Sequence, residues 1–421
     1  MRRVLLNNRV NYWTGNECRE FEKEFAAWAG TRFAVALANG TLALDVALRA
    51  LNIGPGDQVV VTPRTFIASV SCVVNAGATP VFADVDAETG NITAQTIAAV
   101  LTPRTKAVIC VHLAGWPCDM DPIIALAAQH DFKVIEDCAQ AHGARYKGHS
   151  VGSIGHVGAW SFCQDKVMTT GGEGGMVTCN DESLWRAIWA YKDHGKSYAA
   201  VYEREHPPGF RWLHESFGTN WRMLEMQAVI GRIQLKRMKD WTAARAANAI
   251  AIRQALLPFS GEGGIVRVSS PRCSTCPIGT SLTKSAVGTT ECVHAIQNLR
   301  SGGHRPSLAN EACSCQHAYY KYYAYVRPEN LADGWSRDRI IETINARGVP
   351  CYVGSCSEVY LEKAFDNTGW RPKERFSVAK HLGETSLMFL VHPTLTQSEI
   401  RKTQDVITAV LTMATAATKR C

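Results

Sequence analysis

Nowhere does the 421-residue chain hold an unbroken apolar run of about 18 residues, the length a membrane-crossing helix needs. The segment from Met1 to Asn11 opens on Arg2 and Arg3, but only Val4, Leu5 and Leu6 follow before asparagines intervene, which excludes a signal peptide. Internal repeats are absent, and so is a helix-turn-helix pattern. The net charge of +7 is mild and is not gathered into a basic stripe, so nucleic acid is not an expected partner, whereas an anionic small molecule suits it. With 46% hydrophobic and 20% charged residues, disorder is not the expectation either. What remains is a soluble, cytoplasmic protein, long enough for a large core and a second, smaller domain.

Cysteine, by contrast, is plentiful at 15 residues. Most stand alone inside apolar stretches (Cys72, Cys110, Cys138, Cys163, Cys179), where a thiol packs as a small hydrophobe, and reduced thiols are expected.

Residues 17 to 29 place Phe21, Phe25 and Trp28 on one helical face and stop at Gly30. A strand from Phe33 to Ala38 then runs through Asn39-Gly40-Thr41 into an apolar helix, Leu42 to Leu51. From there strand and helix patterns alternate. Strands are expected at Gln58 to Thr62, Thr79 to Asp84, Ala107 to His112, Phe132 to Asp137, Gly158 to Cys163 and Gly175 to Cys179. Helices are expected between them, among them Thr65 to Asn75 and Asp121 to His130, the latter capped by Asp121 with Pro122 at its first position. The alternation predicts an α/β fold with a mostly parallel sheet covered on both faces.

Residues 220 to 258 read as one long helical stretch leading into the second domain. Residues 262 to 316 form an irregular, cysteine-rich segment with weak periodicity. Order returns with a strand pattern at Ala318 to Arg327 and a helix at Arg337 to Ala346, capped by Ser336 and ended by Gly348. A last helix opens on a capping box from Thr396 to Glu399. These features divide the chain into a large domain, 1–240, and a small α+β domain, 241–421.

In such sheets ligands gather at the carboxyl ends of strands. Lys166 lies there, between aromatic and small residues (Trp160 to Cys163) and a glycine run (Gly171, Gly172, Gly174, Gly175). A partly desolvated lysine at such a place suits Schiff-base chemistry, although a solvated loop lysine is the plainer reading. Asp137 ends an apolar strand, where a carboxylate needs a cation. Pyridoxal 5'-phosphate meets these needs together. Its ring nitrogen pairs with a carboxylate, its aldehyde takes an amine, and its phosphate takes the N–H groups and hydroxyls of Gly40, Thr41 and Ser161. Its ring takes a flat cover, Phe66.

The runs V-I-E-D-C-A-Q-A-H-G-A-R-Y-K-G (134–148), W-S-F-C-Q-D-K-V-M-T-T-G-G-E-G-G-M-V (160–177) and G-T-N-W-R-M-L-E-M-Q-A-V-I-G (218–231) resemble the DegT/DnrJ/EryC1/StrS family of sugar aminotransferases. The likeness is strong over residues 12 to 260 and looser over 317 to 410. It implies a fold-type I enzyme that uses pyridoxal 5'-phosphate to move an amino group from L-glutamate or L-glutamine to a nucleotide-linked keto-sugar, for surface polysaccharide or an antibiotic sugar. By the same likeness Lys166 is the Schiff-base lysine and Asp137 the partner of the ring nitrogen. Gln140 sits beside the ring, Phe66 stacks on it, and Gly40, Thr41 and Ser161 bind the phosphate. Asn220 is implied to reach the cofactor of a neighbouring subunit, which makes the expected homodimer share its active sites.

The sequence departs from that pattern in two places. The stretch before Tyr12 is short, so a helix expected near the dimer interface is in question. Segment 262–316 has no counterpart; within it Cys273 and Cys276, Cys292, His294, His304, and Cys313 and Cys315 suggest zinc, but their spacing is long and irregular and no metal is assigned. His112, His142 and His194 are candidates for substrate contact, with a structural role the commoner fate of such histidines. The tyrosines from Tyr319 to Tyr325 read as a strand rather than as a stacking platform. Two other functions are weighed: a sugar dehydratase of the same fold, which carries histidine where Lys166 stands, so Lys166 argues against it, and a non-catalytic regulator, which the intact Lys166 and Asp137 disfavour.

Overall fold

The computed structural model describes residues 1–269 and 315–415. Seven strands form the central sheet: β1 (Phe33–Leu37), β2 (Gln58–Val61), β3 (Thr79–Phe82), β4 (Thr105–Val111), β5 (Lys133–Asp137), β8 (Val157–Ser161) and β9 (Gly175–Cys179). A small hairpin, β6 (Arg145–Tyr146) and β7 (His149–Ser150), interrupts the series. The sheet order is β1-β9-β8-β5-β4-β2-β3; β9 alone runs antiparallel to its neighbours, and every other pair is parallel, with the β6–β7 hairpin in place of a helix between β5 and β8. Strands such as β2 and β9 are buried along their whole length, which is why they read as unbroken apolar runs and not as alternations.

The helices are α1 (Arg2–Leu6), α2 (Glu17–Ala29), α3 (Gly40–Ala50), α4 (Ala68–Asn75), α5 (Ala94–Ala98), α6 (Met120–His130), α7 (Glu182–Tyr191), α8 (Tyr198–Tyr202), α9 (Glu225–Leu235) and α10 (Met238–Leu256). Helix α2 buries Phe21 and Phe25 on one side of the sheet beside α9, and its chain turns out through Gly30 in the left-handed region, φ 71°. Helices α3, α4 and α7 cover the other side.

A second sheet, in the order β10-β11-β13-β12, consists of β10 (Val266–Val268), β11 (Tyr322–Val326), β12 (Cys351–Tyr352) and β13 (Ser386–Phe389). It packs with α11 (Arg337–Ala346), α13 (Gln397–Ala414) and the end of α10 around Ile252, Leu256, Ile340 and Leu411, while α12 (Ser377–Thr385) lies against the large sheet's core. The expected caps are present: Ser336 accepts the Arg339 N–H, and Thr396 and Glu399 complete their reciprocal box. Among the described residues no helix is long and apolar enough to cross a membrane.

Three expectations are corrected. The stretch 220–258 is two helices broken at Lys236 and Arg237, and residues 220–224 are not helical. Helix α6 starts at Met120 with Asp119 at its N-cap, so Pro122 falls at the third position. Neither change costs hydrogen bonds, because the first-turn N–H groups lack helical partners anyway. The strand expected from Ala318 shortens to Tyr322–Val326, because Tyr319 takes a left-handed φ of 50° that a strand cannot hold.

Candidate active site

The turn from β1 into α3 brings the backbone close to β8. Asn39 caps α3 by accepting the Leu42 N–H at 3.0 Å, and Gly40 follows in the first turn. A Cβ at Gly40 would lie 2.5 Å from Ser161 Cβ and 2.9 Å from its Oγ, so only glycine lets the helix end approach the end of β8. Thr41 is half-buried beside it, and Ser161 is buried. Free N–H groups, two hydroxyls and the positive end of an 11-residue helix thus share one small space, a fitting cradle for a phosphate.

Asp137 stands at the end of β5, buried. Its Oδ2 accepts the Ser69 hydroxyl at 2.8 Å and its Oδ1 accepts the Ala139 N–H at 3.0 Å; Ser69 in turn shares a hydrogen with Thr65 at 2.8 Å. Burial pushes the carboxyl above its ordinary range, and the Ala139 and Ser69 hydrogen bonds and the charge of Lys166 offset only part of that. A carboxylate left in this condition has capacity for a further cation, which a protonated ring nitrogen would fill.

Lys166 sits on the loop after β8. That loop closes on itself through Phe162 N–H to Gly174 O (2.8 Å) and Gln164 N–H to Gly172 O (3.0 Å), with Gly171 and Gly172 both at positive φ. Its side chain is 18% exposed, and Nζ lies 3.3 Å from an Asp165 carboxylate oxygen. Gln140 is buried, and its Oε1 accepts the Ala114 N–H at 2.8 Å, which pins Ala114 in a left-handed conformation, φ 56°. The residues drawn from β1, β5, β8 and the lysine loop therefore gather at one end of the sheet.

Two candidates are open to solvent. Phe66 is 68% exposed, and Asn220 is exposed on a strand-like segment that pairs with Asp193, next to Trp221, whose carbonyl accepts the Ala38 N–H just beyond β1. His112 and His142 are fully buried. His112 bonds Glu136 through Nε2 at 2.9 Å and accepts the Cys118 N–H through Nδ1. His142 packs between the Trp160 and Phe162 rings and makes no hydrogen bond to the protein. His194 holds a turn at φ 61°. Tyr320, Tyr322 and Tyr325 are buried, as a packed segment requires.

Among the described residues one group has spacing suited to a metal, His112, Glu136 and Cys138. Glu136 gives all its lone pairs to His112 and to the Gly152, Ile154 and Gly155 N–H groups, and burial pushes the Cys138 thiol well up, so the group acts as a structural network. The cysteines and histidines of 273–313 lie outside the described residues. Cys72, Cys110, Cys138 and Cys179 are free and buried, and Cys163 is half-buried.

The sequence left three partners unnoticed: Ser69, Asp165 and Tyr320. Ser69 was legible in principle, since Thr65 and Ser69 stand four apart at a helix start. Tyr320, 155 residues from the Asp165 it bonds, carried no local signal.

Comparison with known proteins gives a family and close structural neighbours. The family model for the DegT/DnrJ/EryC1/StrS aminotransferase family matches residues 2–274. The GDP-perosamine synthase of Caulobacter vibrioides is 45% identical over 226 residues, 54% of this chain and 58% of that one. The UDP-N-acetyl-3-dehydro-alpha-D-glucosamine 3-aminotransferase of Acidithiobacillus ferrooxidans is 45% identical over 240 residues, 57% of this chain and 62% of that one. The alignment thus spans about three fifths of the length of these curated relatives. The X-ray structure of the aminotransferase from Psychrobacter cryohalolentis superposes with a TM-score of 0.87 at 63% identity, covering 98% of this chain and 95% of that one.

Proposed function

The chain belongs to the DegT/DnrJ/EryC1/StrS aminotransferase family, and from that premise we propose that it is a pyridoxal 5'-phosphate-dependent aminotransferase. Its substrates are L-glutamate or L-glutamine as donor and a nucleotide-linked keto-deoxysugar as acceptor, for polysaccharide or antibiotic sugars. The observation that carries this reading is the buried Asp137 carboxyl, raised by desolvation and within electrostatic reach of Lys166. The two matched relatives act, by their names, on GDP- and UDP-linked sugars, which supports the substrate class and leaves the nucleotide to experiment.

When bound, the cofactor supplies an aldehyde that condenses with amines and a ring that stores electrons. Gly40, Thr41 and Ser161 would hold its phosphate, Gln140 and Phe66 would border its ring, and Asp137 would keep a proton on its ring nitrogen. Lys166 Nζ would take the proton from the donor Cα and, in the second half-reaction, would deliver a proton to the sugar carbon that receives nitrogen. The loop that carries Lys166 is closed by its own backbone bonds, so the amine works from a fixed base.

The same reading assigns residues 1–240 to the cofactor-binding domain and 241–421 to the small one, and places the protein in the cytoplasm. It also makes the working form a homodimer, with Asn220 reaching the neighbour's cofactor. Support comes from Phe66, Phe210, Trp212 and Phe217, large apolar side chains left 68 to 99% exposed.

The test is an absorbance spectrum of the purified protein with the cofactor, before and after L-glutamate and, separately, L-glutamine. An absorbance band at the edge of the visible that declines on adding a donor supports the reading. A parent protein that never acquires the band, or a Lys166→Ala variant that still turns over, overturns it.

A further inference from the structure

Lys166 has a counter-ion of its own, and it is not Asp137. Its Nζ lies 3.3 and 3.5 Å from the two carboxylate oxygens of Asp165, and 5.4 Å over the ring of Tyr320. The Tyr320 hydroxyl donates to Asp165 Oδ2 at 2.5 Å. Tyr320 belongs to the segment that leads into β11, and its main chain is fixed from two directions. Its N–H donates to the Ala114 carbonyl at 2.9 Å, and the buried Arg245 donates to its carbonyl at 3.3 Å and to that of Tyr319 at 3.2 Å. Ala114 is the left-handed residue pinned by Gln140. A rigid frame thus sets the hydroxyl, and the hydroxyl sets the carboxylate. Partial burial works to raise the Asp165 carboxyl, yet the Tyr320 hydrogen bond and Lys166 hold it below its ordinary range.

We propose that Asp165, oriented by Tyr320, is a positioning residue that receives the Lys166 ammonium each time the amine has taken a proton from substrate. In that step the Cα–H bond breaks, its electron pair stays with the cofactor-linked substrate, the proton bonds to neutral Nζ, and the resulting cation meets the Asp165 carboxylate. Return of the proton to carbon reverses each change. Asp137 is spared this duty: one of its oxygens is taken by Ser69, the other by Ala139, and its remaining capacity is reserved for the cofactor ring. The inference rests on the reading of Lys166 as the cofactor-linked lysine.

The experiment compares the parent with Asp165→Asn, Tyr320→Phe and Asp165→Glu, all loaded with cofactor. Two readouts are taken: the pH midpoint of the visible band, and the rate of the L-glutamate half-reaction with ordinary and Cα-deuterated donor. Loss of a carboxylate beside the cationic form lowers the midpoint by about 1 pH unit or more in Asp165→Asn. The half-reaction slows by about tenfold with a larger deuterium effect, as proton transfer becomes limiting. Tyr320→Phe moves both in the same direction by less, and Asp165→Glu restores part of each. A purely structural role would alter cofactor affinity without moving the midpoint or the isotope effect. Midpoints within about 0.2 units of the parent in Asp165→Asn and Tyr320→Phe, both still coloured, would overturn the proposal and leave the lysine reading intact. A colourless parent sinks both; if Asp165→Asn alone fails to load, Tyr320→Phe decides.

Discussion

Replacing Glu136 by glutamine tests whether the floor beneath the site is held as the geometry says. The side chain is fully buried and accepts four bonds. On Oε2 they are His112 Nε2 (2.9 Å) and Gly152 N–H (2.9 Å); on Oε1 they are Ile154 N–H (2.9 Å) and Gly155 N–H (2.6 Å). Glutamine is nearly isosteric but turns one acceptor into an NH₂ donor. Either orientation of the amide sets two donors against it, and His112 cannot rescue the Oε2 side by changing tautomer, because its Nδ1 already accepts from Cys118. Two lost hydrogen bonds to a charged group, less the relief of burying no charge, come to about 3–5 kcal/mol. At about 2.1 cal/mol/K of unfolding entropy per residue this corresponds to a fall in Tm of about 3–6 °C at pH 7.

Acidity gives the sharper check. Burial alone would raise the Glu136 carboxyl, but His112 and the backbone donors hold it below its ordinary value. A depressed carboxylate contributes stability that is present above the unfolded value, near 4.5, and is lost as pH falls through the folded one. The gap between parent and variant should therefore close on acidification. Calorimetry that finds Tm values within about 1 °C at pH 7, or a gap undiminished at the lowest pH where the parent still unfolds cooperatively, refutes the reasoning.

Gly40→Ala forces a methyl group against Ser161 Cβ and Cα. It should weaken cofactor binding by tenfold or more in a fluorescence titration, at a stability cost of about 1–3 kcal/mol. Burial, aided by the positive charges of Lys166 and Arg245, pushes His142 down to about 3, so the folded protein keeps it neutral while the unfolded chain protonates it below about 6.5. Stability should fall with pH in that window, by about 2 kcal/mol at pH 5 from this residue, and His142→Leu should flatten the acid limb of a Tm–pH curve. Lys192→Met removes the wholly buried ammonium that pairs with Glu22 at 3.0 Å and leaves that carboxylate with the Ala36 N–H and the Tyr12 hydroxyl as neutral donors. The expected loss is about 3–5 kcal/mol in denaturant titration, with the double variant Lys192→Met, Glu22→Gln recovering part of it.

The difference between what could and could not be foreseen follows from the range over which each signal acts. Helix α2, the cap at Ser336 and the box at Thr396 are local: the residues that specify them lie within one turn of the backbone groups they satisfy, so a reading in chain order finds them. The break between α9 and α10 escaped because both helices keep apolar positions in nearly the same phase, and neither Gly nor Pro marks Lys236 and Arg237. The site divides the same way. Gly40, Asp137, Ser161 and Lys166 each end a strand or open the turn after one, and the sheet's parallel order brings strand ends together whatever the sequence distance between them. Tyr320 reaches Asp165 from another part of the chain, and only because Ala114 and Arg245 fix its backbone. No periodicity encodes such a contact. One sheet can therefore leave its strand-end residues legible in sequence while a contact such as that of Tyr320 with Asp165 becomes visible only in three dimensions.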